Sequence, residues 1–266
     1  RRHELFYADA KISGEMSRLN VDDLVLGYNH STKIRGSVEF FGLPQINEAF
    51  IDARITSGYL HPDDFSIYLG EFSENVKALG QIEFNGRFLG FLNDFVANAT
   101  FNTEKGKVTS DINLKFPGEF ADAKYSGGLV LESFNAGAFI QNKKLLQKVN
   151  LEGNIDGQGF RIDNASFLLD AEITDTGING YSYDFIKANG RFAASYFQGS
   201  LYVDDPHCKI NGVGTLNLGI FPEQIEVRAF VDQLDFKDLG LSDEDISLKT
   251  SVYANVTGLN IDSLIG

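Results

Sequence analysis

Residues 94–116, DFVANATFNTEKGKVTSDINLKF, decide the fold. The second half of this stretch puts Val108, Ser110, Ile112, Leu114 and Phe116 on one side and Thr109, Asp111, Asn113 and Lys115 on the other. That alternation is the mark of a half-buried β-strand. In the first half, Phe95, Ala97, Ala99 and Phe101 share a side, and Asn102 to Gly106 supply turn chemistry, so the spacing predicts a hairpin. The same period recurs at Val38/Phe40, Ile51/Ala53/Ile55, Ile82/Phe84, Phe167/Leu169/Ala171/Ile173, Leu201/Val203, Ile225/Val227/Ala229/Val231 and Leu248/Thr250/Val252/Ala254/Val256. It predicts about fifteen to eighteen strands separated by Gly, Asn and Asp turns.

Helical spacing is confined to residues 61–69, 134–146 and 236–243. Pro62 followed by Asp63 and Asp64 suits a helix start, and Asn135 and Ser242 suit caps. Each stretch follows a group of strands, giving loose repeats over roughly 1–70, 71–146 and 147–266 of one continuous segment. An open twisted sheet beyond about ten strands must curl, split or close. Glycines inside strand patterns, at Gly36, Gly128, Gly153, Gly190, Gly199, Gly212 and Gly214, predict bulges or bends. The expected architecture is therefore all-β: one elongated curled sheet, a β-taco or repeating β-groove, with a few short helical turns. At about 4.8 Å per strand it would be roughly 80 Å long. A β-sandwich is the alternative.

Composition narrows the partners. The 266 residues carry 23 Lys and Arg against 37 Asp and Glu, a formal charge of −14 that repels phosphate backbones, so no nucleic acid is expected. The acid is spread along the chain as a solvated face rather than gathered in a tail. The lone Cys208 forms no internal disulfide, and no apolar run approaches the roughly 20 residues that span a bilayer. The chain opens on RRHE without an initiator Met or a signal-peptide core, and residues 259–266 read as an element just beginning. An excerpt of a longer chain is expected, with any anchor outside it.

Catalytic signals are thin. His207-Cys208 supplies two ligand types, but no further His or Cys cluster completes a zinc set, and His3, His30 and His61 stand alone. The pairs Asp22-Asp23, Asp63-Asp64 and Asp204-Asp205 read as turn formers rather than glycosidase carboxylates, since adjacent acids point apart. Gly157-Gln158-Gly159 and Gly212-Val213-Gly214 are too short for a nucleotide loop. Asp243-Glu244-Asp245 lacks the spacing of a calcium loop. No enzyme activity, cofactor or metal is expected.

Residues 86–97 (GRFLGFLNDFVA) followed by 106–116 (GKVTSDINLKF) resemble a segment of Bacteroidota TamB-like proteins. STKIRG at 31–36, GLP at 42–44, FIDA at 50–53 and DDP at 204–206 after the strand GSLYV are similar to the same family, whereas His207 and Cys208 depart from its alternation. The resemblance covers nearly the whole chain through strand-and-turn strings in order, none of them catalytic. It implies an interior length of an AsmA-like trough, anchored in the inner membrane by a helix outside this segment and crossing the periplasm. It also implies outer-membrane biogenesis through glycerophospholipid transfer, and an Omp85-class partner, TamA or a TamA-like lipoprotein, bound elsewhere.

A strip of apolar residues suits phospholipid acyl chains, because burying sixteen carbons yields on the order of 13 kcal/mol at about 0.8 kcal/mol per methylene. The candidate lining is Phe95, Phe101, Val108, Ile112, Leu114, Phe116, Phe167, Leu169, Ile173, Val227 and Val252. Phe is used 23 times with no Trp and one Met, which gives large apolar area with few rotors. The same residues would equally form a packed core. Two further readings stand: a scaffold that assists outer-membrane protein assembly by strand pairing, and a carbohydrate-active β-protein, for which Tyr181 and Tyr183 are the nearest aromatic platform.

Overall fold

A computed structural model describes residues 5–29, 31–64, 73–118, 122–160 and 163–258. His3, His30, the later part of the 61–69 stretch and residues 259–266 lie outside these. The strands come in groups separated by longer connections. The first group is β1 (Phe6–Glu15), β2 (Arg18–Tyr28), β3 (Thr32–Phe41) and β4 (Phe50–Leu60). The second is β5 (Ile82–Phe91), β6 (Asp94–Thr103), β7 (Gly106–Lys115) and β8 (Lys124–Asn135). The third is β9 (Lys148–Gln158), β10 (Ser166–Ile178), β11 (Tyr181–Ala193), β12 (Tyr196–Asp205), β13 (Cys208–Asn217) and β14 (Gln224–Asp235), and β15 (Ser247–Thr257) stands last.

Among the described residues fifteen strands form one sheet in sequence order, each antiparallel to its chain neighbour, and β1 and β15 do not pair with each other to close it. Strands take 69 % and helices 5 % of the described residues, which makes the chain all-β with few short helices, as the alternation predicts. Fourteen steps of about 4.8 Å give a stack of roughly 67 Å along the pairing direction. No helix among the described residues is long and apolar enough to cross a membrane.

Turn chemistry fixes the registers locally. Thr103 pairs with Gly106 across a two-residue turn. There the Thr103 hydroxyl donates to the Gly106 carbonyl at 2.8 Å and accepts from the Lys105 N–H at 3.0 Å, while Gly106 takes φ 120°, which favours glycine. Helical punctuation over residues 134–146 and 236–243 is shorter than the spacing suggests. Residues 62–64 are helical, α1 covers Ser73–Lys77, and α2 covers only Ala136–Phe139, where the Asn135 side chain accepts from the Ala138 N–H as the expected cap. The 236–243 stretch forms turns instead of a helix, and Ser242 caps nothing. Its hydroxyl accepts the Glu244 N–H two residues on, a local bond that competes with helix.

The expectation of bulges at the glycines needs correction. Register shifts occur at Asp9/Lys11, Val21/Leu24, Arg35/Gly36, Ile55/Gly58, Leu131/Phe134, Lys209/Ile210 and Val231/Leu234, so of the seven cited glycines only Gly36 adjoins one. Asp23 and Ser133 carry the positive φ at their bulges themselves. Gly128 lies in regular register, with nothing closer than 3.9 Å to an added Cβ. The remaining glycines serve the concave face described below.

Candidate functional site

Because directly opposed residues share a face, the registers carry the sides of β7 across the whole sheet. Phe95 opposes Leu114, which opposes Tyr125; that row continues through Gly157, Phe167, Phe192, Phe197, Leu216 and Ile225. A second flank on the same face runs Phe84, Phe101, Val108, Leu131, Leu151, Ile173, Ile186 and Val203. Between them lie two inner rows. One holds Ile112, Leu169 and Val227, and the other is built mostly of small residues: Gly86, Ala99, Ser110, then Gly153, Ala171 and Ala188.

Each candidate lining residue therefore lies on one face. Phe95, Leu114 and Phe167 sit on the first flank, with the Phe116 ring just past β7 at 6.0 Å from that of Phe95. Phe101, Val108 and Ile173 sit on the second flank, Ile112, Leu169 and Val227 on one inner row, and Val252 on the small-residue row near the β15 edge. Asp111 and Asp170 are on the opposite face, where Asn98, Asp111, Asn154, Asp170 and Asn189 form a polar ladder interrupted by Gly128.

The apolar face is concave. An added Cβ at Gly153 would sit 2.5 Å from the Ala171 Cβ, one at Gly86 2.5 Å from the Ala99 Cβ, and one at Gly199 2.5 Å from the Gly190 Cα. The sheet thus bends so sharply toward this side that its middle admits only Gly, Ala or Ser in places. Ala97, Ala99, Ala171 and Ala188 are each 3 % exposed, whereas most of the candidate lining is half-buried and Val252 is 36 % exposed. Small side chains make the floor of a trough and large ones its walls. Rings reinforce the walls: Phe84 stacks on Phe101 at 5.9 Å, and Phe167, Phe192 and Phe197 follow at 5.5 and 5.0 Å.

The long connections follow β4, β8 and β14, all even-numbered strands, and so in an up-and-down sheet they fall on one rim. Two of them meet through the Asn75 side chain, which donates to the Phe139 carbonyl at 2.6 Å. The third, residues 236–246, packs Leu239 against Ile186, Val203 and Cys208, with Tyr181 and Tyr183 alongside, so this end of the trough is filled. Those two tyrosines are core members rather than an open sugar platform. Burial and the hydrogen bond to Asp205 raise the Tyr181 phenol, and burial next to Asp205 pushes the Cys208 thiol up to about 11.

His207 and Cys208 part company here. Cys208 opposes Asp205 and packs into the apolar cluster, whereas the His207 Nδ1 lies 3.0 Å from Asp235 Oδ2 and 3.4 Å from Asp238 Oδ2. The Asp235 hydrogen bond raises the imidazole pKa, and donors from Ser247, Gln233 and His207 hold the Asp235 carboxyl below its usual range. The sequence reading did not find this grouping, because the two aspartates lie about thirty residues downstream and only strand pairing brings them in. The other acid pairs have structural partners. Asp64 accepts from Asn29 and Thr32, Asp23 pairs with Lys11, and Asp205 accepts from Tyr181, the Asp184 N–H and the His207 N–H.

Comparison with protein-family models, with curated proteins and with solved structures returns no match.

Proposed function

We propose that this chain is a length of hydrophobic trough that holds lipid acyl chains and conducts glycerophospholipids between an inner and an outer membrane, working in the periplasm as part of a longer anchored protein. The observation that carries the reading is the continuous apolar face: it crosses the paired strands, is concave, and leaves Phe95, Leu114, Phe167 and Leu169 half-buried, while Phe84, Tyr125, Ile186 and Val203 on the same face are buried. An acyl chain sliding over such a face exchanges one apolar rung for the next, so its binding energy changes little along the path while the headgroup stays in water. The polar ladder on the opposite face suits an aqueous surround. The sequence resemblance to TamB-like proteins points the same way and adds the Omp85-class partner, bound outside this segment.

A photo-crosslinker at Leu114 or Leu169 should capture phospholipid in cells, and one at Asp111 or Asp170 should not. Equal capture from both faces would refute the conduit. A charge in the strip separates an open trough from a filled core. Leu114→Asp or Leu169→Asp in the full-length protein should leave abundance and protease resistance intact while outer-membrane integrity fails, with Asn113→Asp as control. In a filled core the same charge costs several kcal/mol against a net stability of about 5–15 kcal/mol, and the protein is lost. Intact function with both charges in place would sink the lipid reading.

A scaffold role in strand pairing would work through the backbone of an edge strand. Among the described residues β1 pairs only with β2, and on it Phe6 is 68 % and Ile12 67 % exposed. A proline scan of β1 that lowers outer-membrane protein assembly without lowering lipid capture at Leu114 would separate the two roles.

A further inference from the structure

We propose that His207, Asp235 and Asp238 form a zinc site that clamps the 236–246 connection onto the sheet. The three come from separate segments: the β12–β13 turn, the end of β14 and the connection itself. The His207 Nδ1 stands 3.0 Å from Asp235 Oδ2 and 3.4 Å from Asp238 Oδ2, and the three ligand atoms lie within 4.8 Å of one another. In a tetrahedral zinc site with bonds of about 2.0–2.1 Å, neighbouring ligand atoms are roughly 3.3–3.4 Å apart, so the two nitrogen–oxygen separations already approximate the edges of such a tetrahedron. A single Nδ1–H can be directed at only one of the two carboxylate oxygens. A cation in place of that proton satisfies both.

The surroundings have the features of a built metal site. Ser247 Oγ donates to Asp235 Oδ1 at 2.6 Å and Gln233 Nε2 to Oδ2 at 2.7 Å, which orients the carboxylate, and the His207 N–H donates to buried Asp205 at 2.9 Å, which fixes the turn. The His207 and Asp238 side chains are 40 % and 52 % exposed, so zinc reaches them from solvent and water takes the remaining position. Imidazole nitrogen with carboxylate oxygen suits zinc, whereas an oxygen-only set would favour calcium or magnesium. Cys208 is no ligand, since it packs on the apolar side. The consequence is mechanical: Leu239, one residue beyond Asp238, is buried among Ile186, Val203 and Cys208, so pinning Asp238 holds this plug in the trough.

Zinc chloride titrated calorimetrically into the metal-free folded chain should bind at one equivalent, and trypsin cleavage after Lys237 should slow at least fivefold when zinc is bound. His207→Gln should weaken binding at least tenfold and abolish the protection, while His61→Gln and Cys208→Ser should leave both unchanged. Asp238→Asn, at an exposed position, should weaken binding about tenfold and decides the matter if His207→Gln fails to fold by circular dichroism. Absence of zinc binding to the unsubstituted chain, or binding and protection that survive His207→Gln or Asp238→Asn undiminished, would overturn the site.

Discussion

Replacing Gly153 by Ala tests the bend on which the trough depends. In an ordinary strand this change is favourable, because Ala loses less conformational freedom on folding, and compatible sites gain about 0.4–1 kcal/mol. At Gly153 the new methyl carbon would lie 2.5 Å from the Ala171 Cβ, with the Asp170 carbonyl oxygen closer still. Neither is the far end of a flexible side chain, so the strands themselves must move apart. Overpacking of this kind costs about 1–3 kcal/mol, and at roughly 3 °C per kcal/mol for a chain of this size the melting temperature should fall by about 3–9 °C. Gly128→Ala on the neighbouring strand is the matched control: it opposes Asn154 on the convex face and meets no atom nearer than 3.9 Å. There the melting temperature should hold or rise by about 1–3 °C. Thermal unfolding followed by circular dichroism reads both variants. Equal melting temperatures would mean that the sheet relaxes freely at Gly153 and that no tight concave floor exists.

Asp52 accepts from Arg87 at 2.6 and 2.7 Å and from Arg54 at 3.1 Å, and it separates two arginines that oppose each other directly across β4 and β5. The Arg87 hydrogen bond holds the Asp52 carboxyl below its usual range, so its stabilisation is complete above the ordinary carboxylate range and is lost as pH falls through the lowered folded value. Asp52→Asn should cost about 1–3 kcal/mol near neutrality and flatten the acid limb of urea-unfolding stability; an unchanged limb would remove Asp52 from the account. Phe84, 7 % exposed and stacked on Phe101, should cost about 3–5 kcal/mol on truncation to Ala. Phe230, 67 % exposed, should cost within about 0.5 kcal/mol, and comparable denaturation midpoints for the two would refute the assignment of faces. Cys208, with its thiol pushed up to about 11 by burial, should react with an aromatic disulfide reagent at pH 8 at least a hundredfold more slowly in the folded chain than in urea; rapid native labelling would show that the Leu239 plug opens readily.

The alternation in residues 94–116 determined the strand class, the sides of β6 and β7 and the hairpin between them. Side-chain parity is local, and a strand that must bury one face carries it in every second residue. Asn135 also declared its cap, because a short polar side chain three residues ahead of a free N–H is a local matter. Lateral neighbours are a different kind of information. That Gly86, Ala99 and Ser110 stand beside one another, or Gly153, Ala171 and Ala188, depends on the register of every hairpin, which turn length and bulges set one strand at a time. Reading single strands scatters these residues as weak points; the paired sheet aligns them into a concave floor. The same holds for His207, whose partners Asp235 and Asp238 reach it only because β13 pairs with β14 through a bulge and the following connection folds back over the trough. Periodicity told which residues turn to the same side; only the tertiary structure decided which of them meet, because contact across a sheet is fixed by register and curvature rather than by position along the chain.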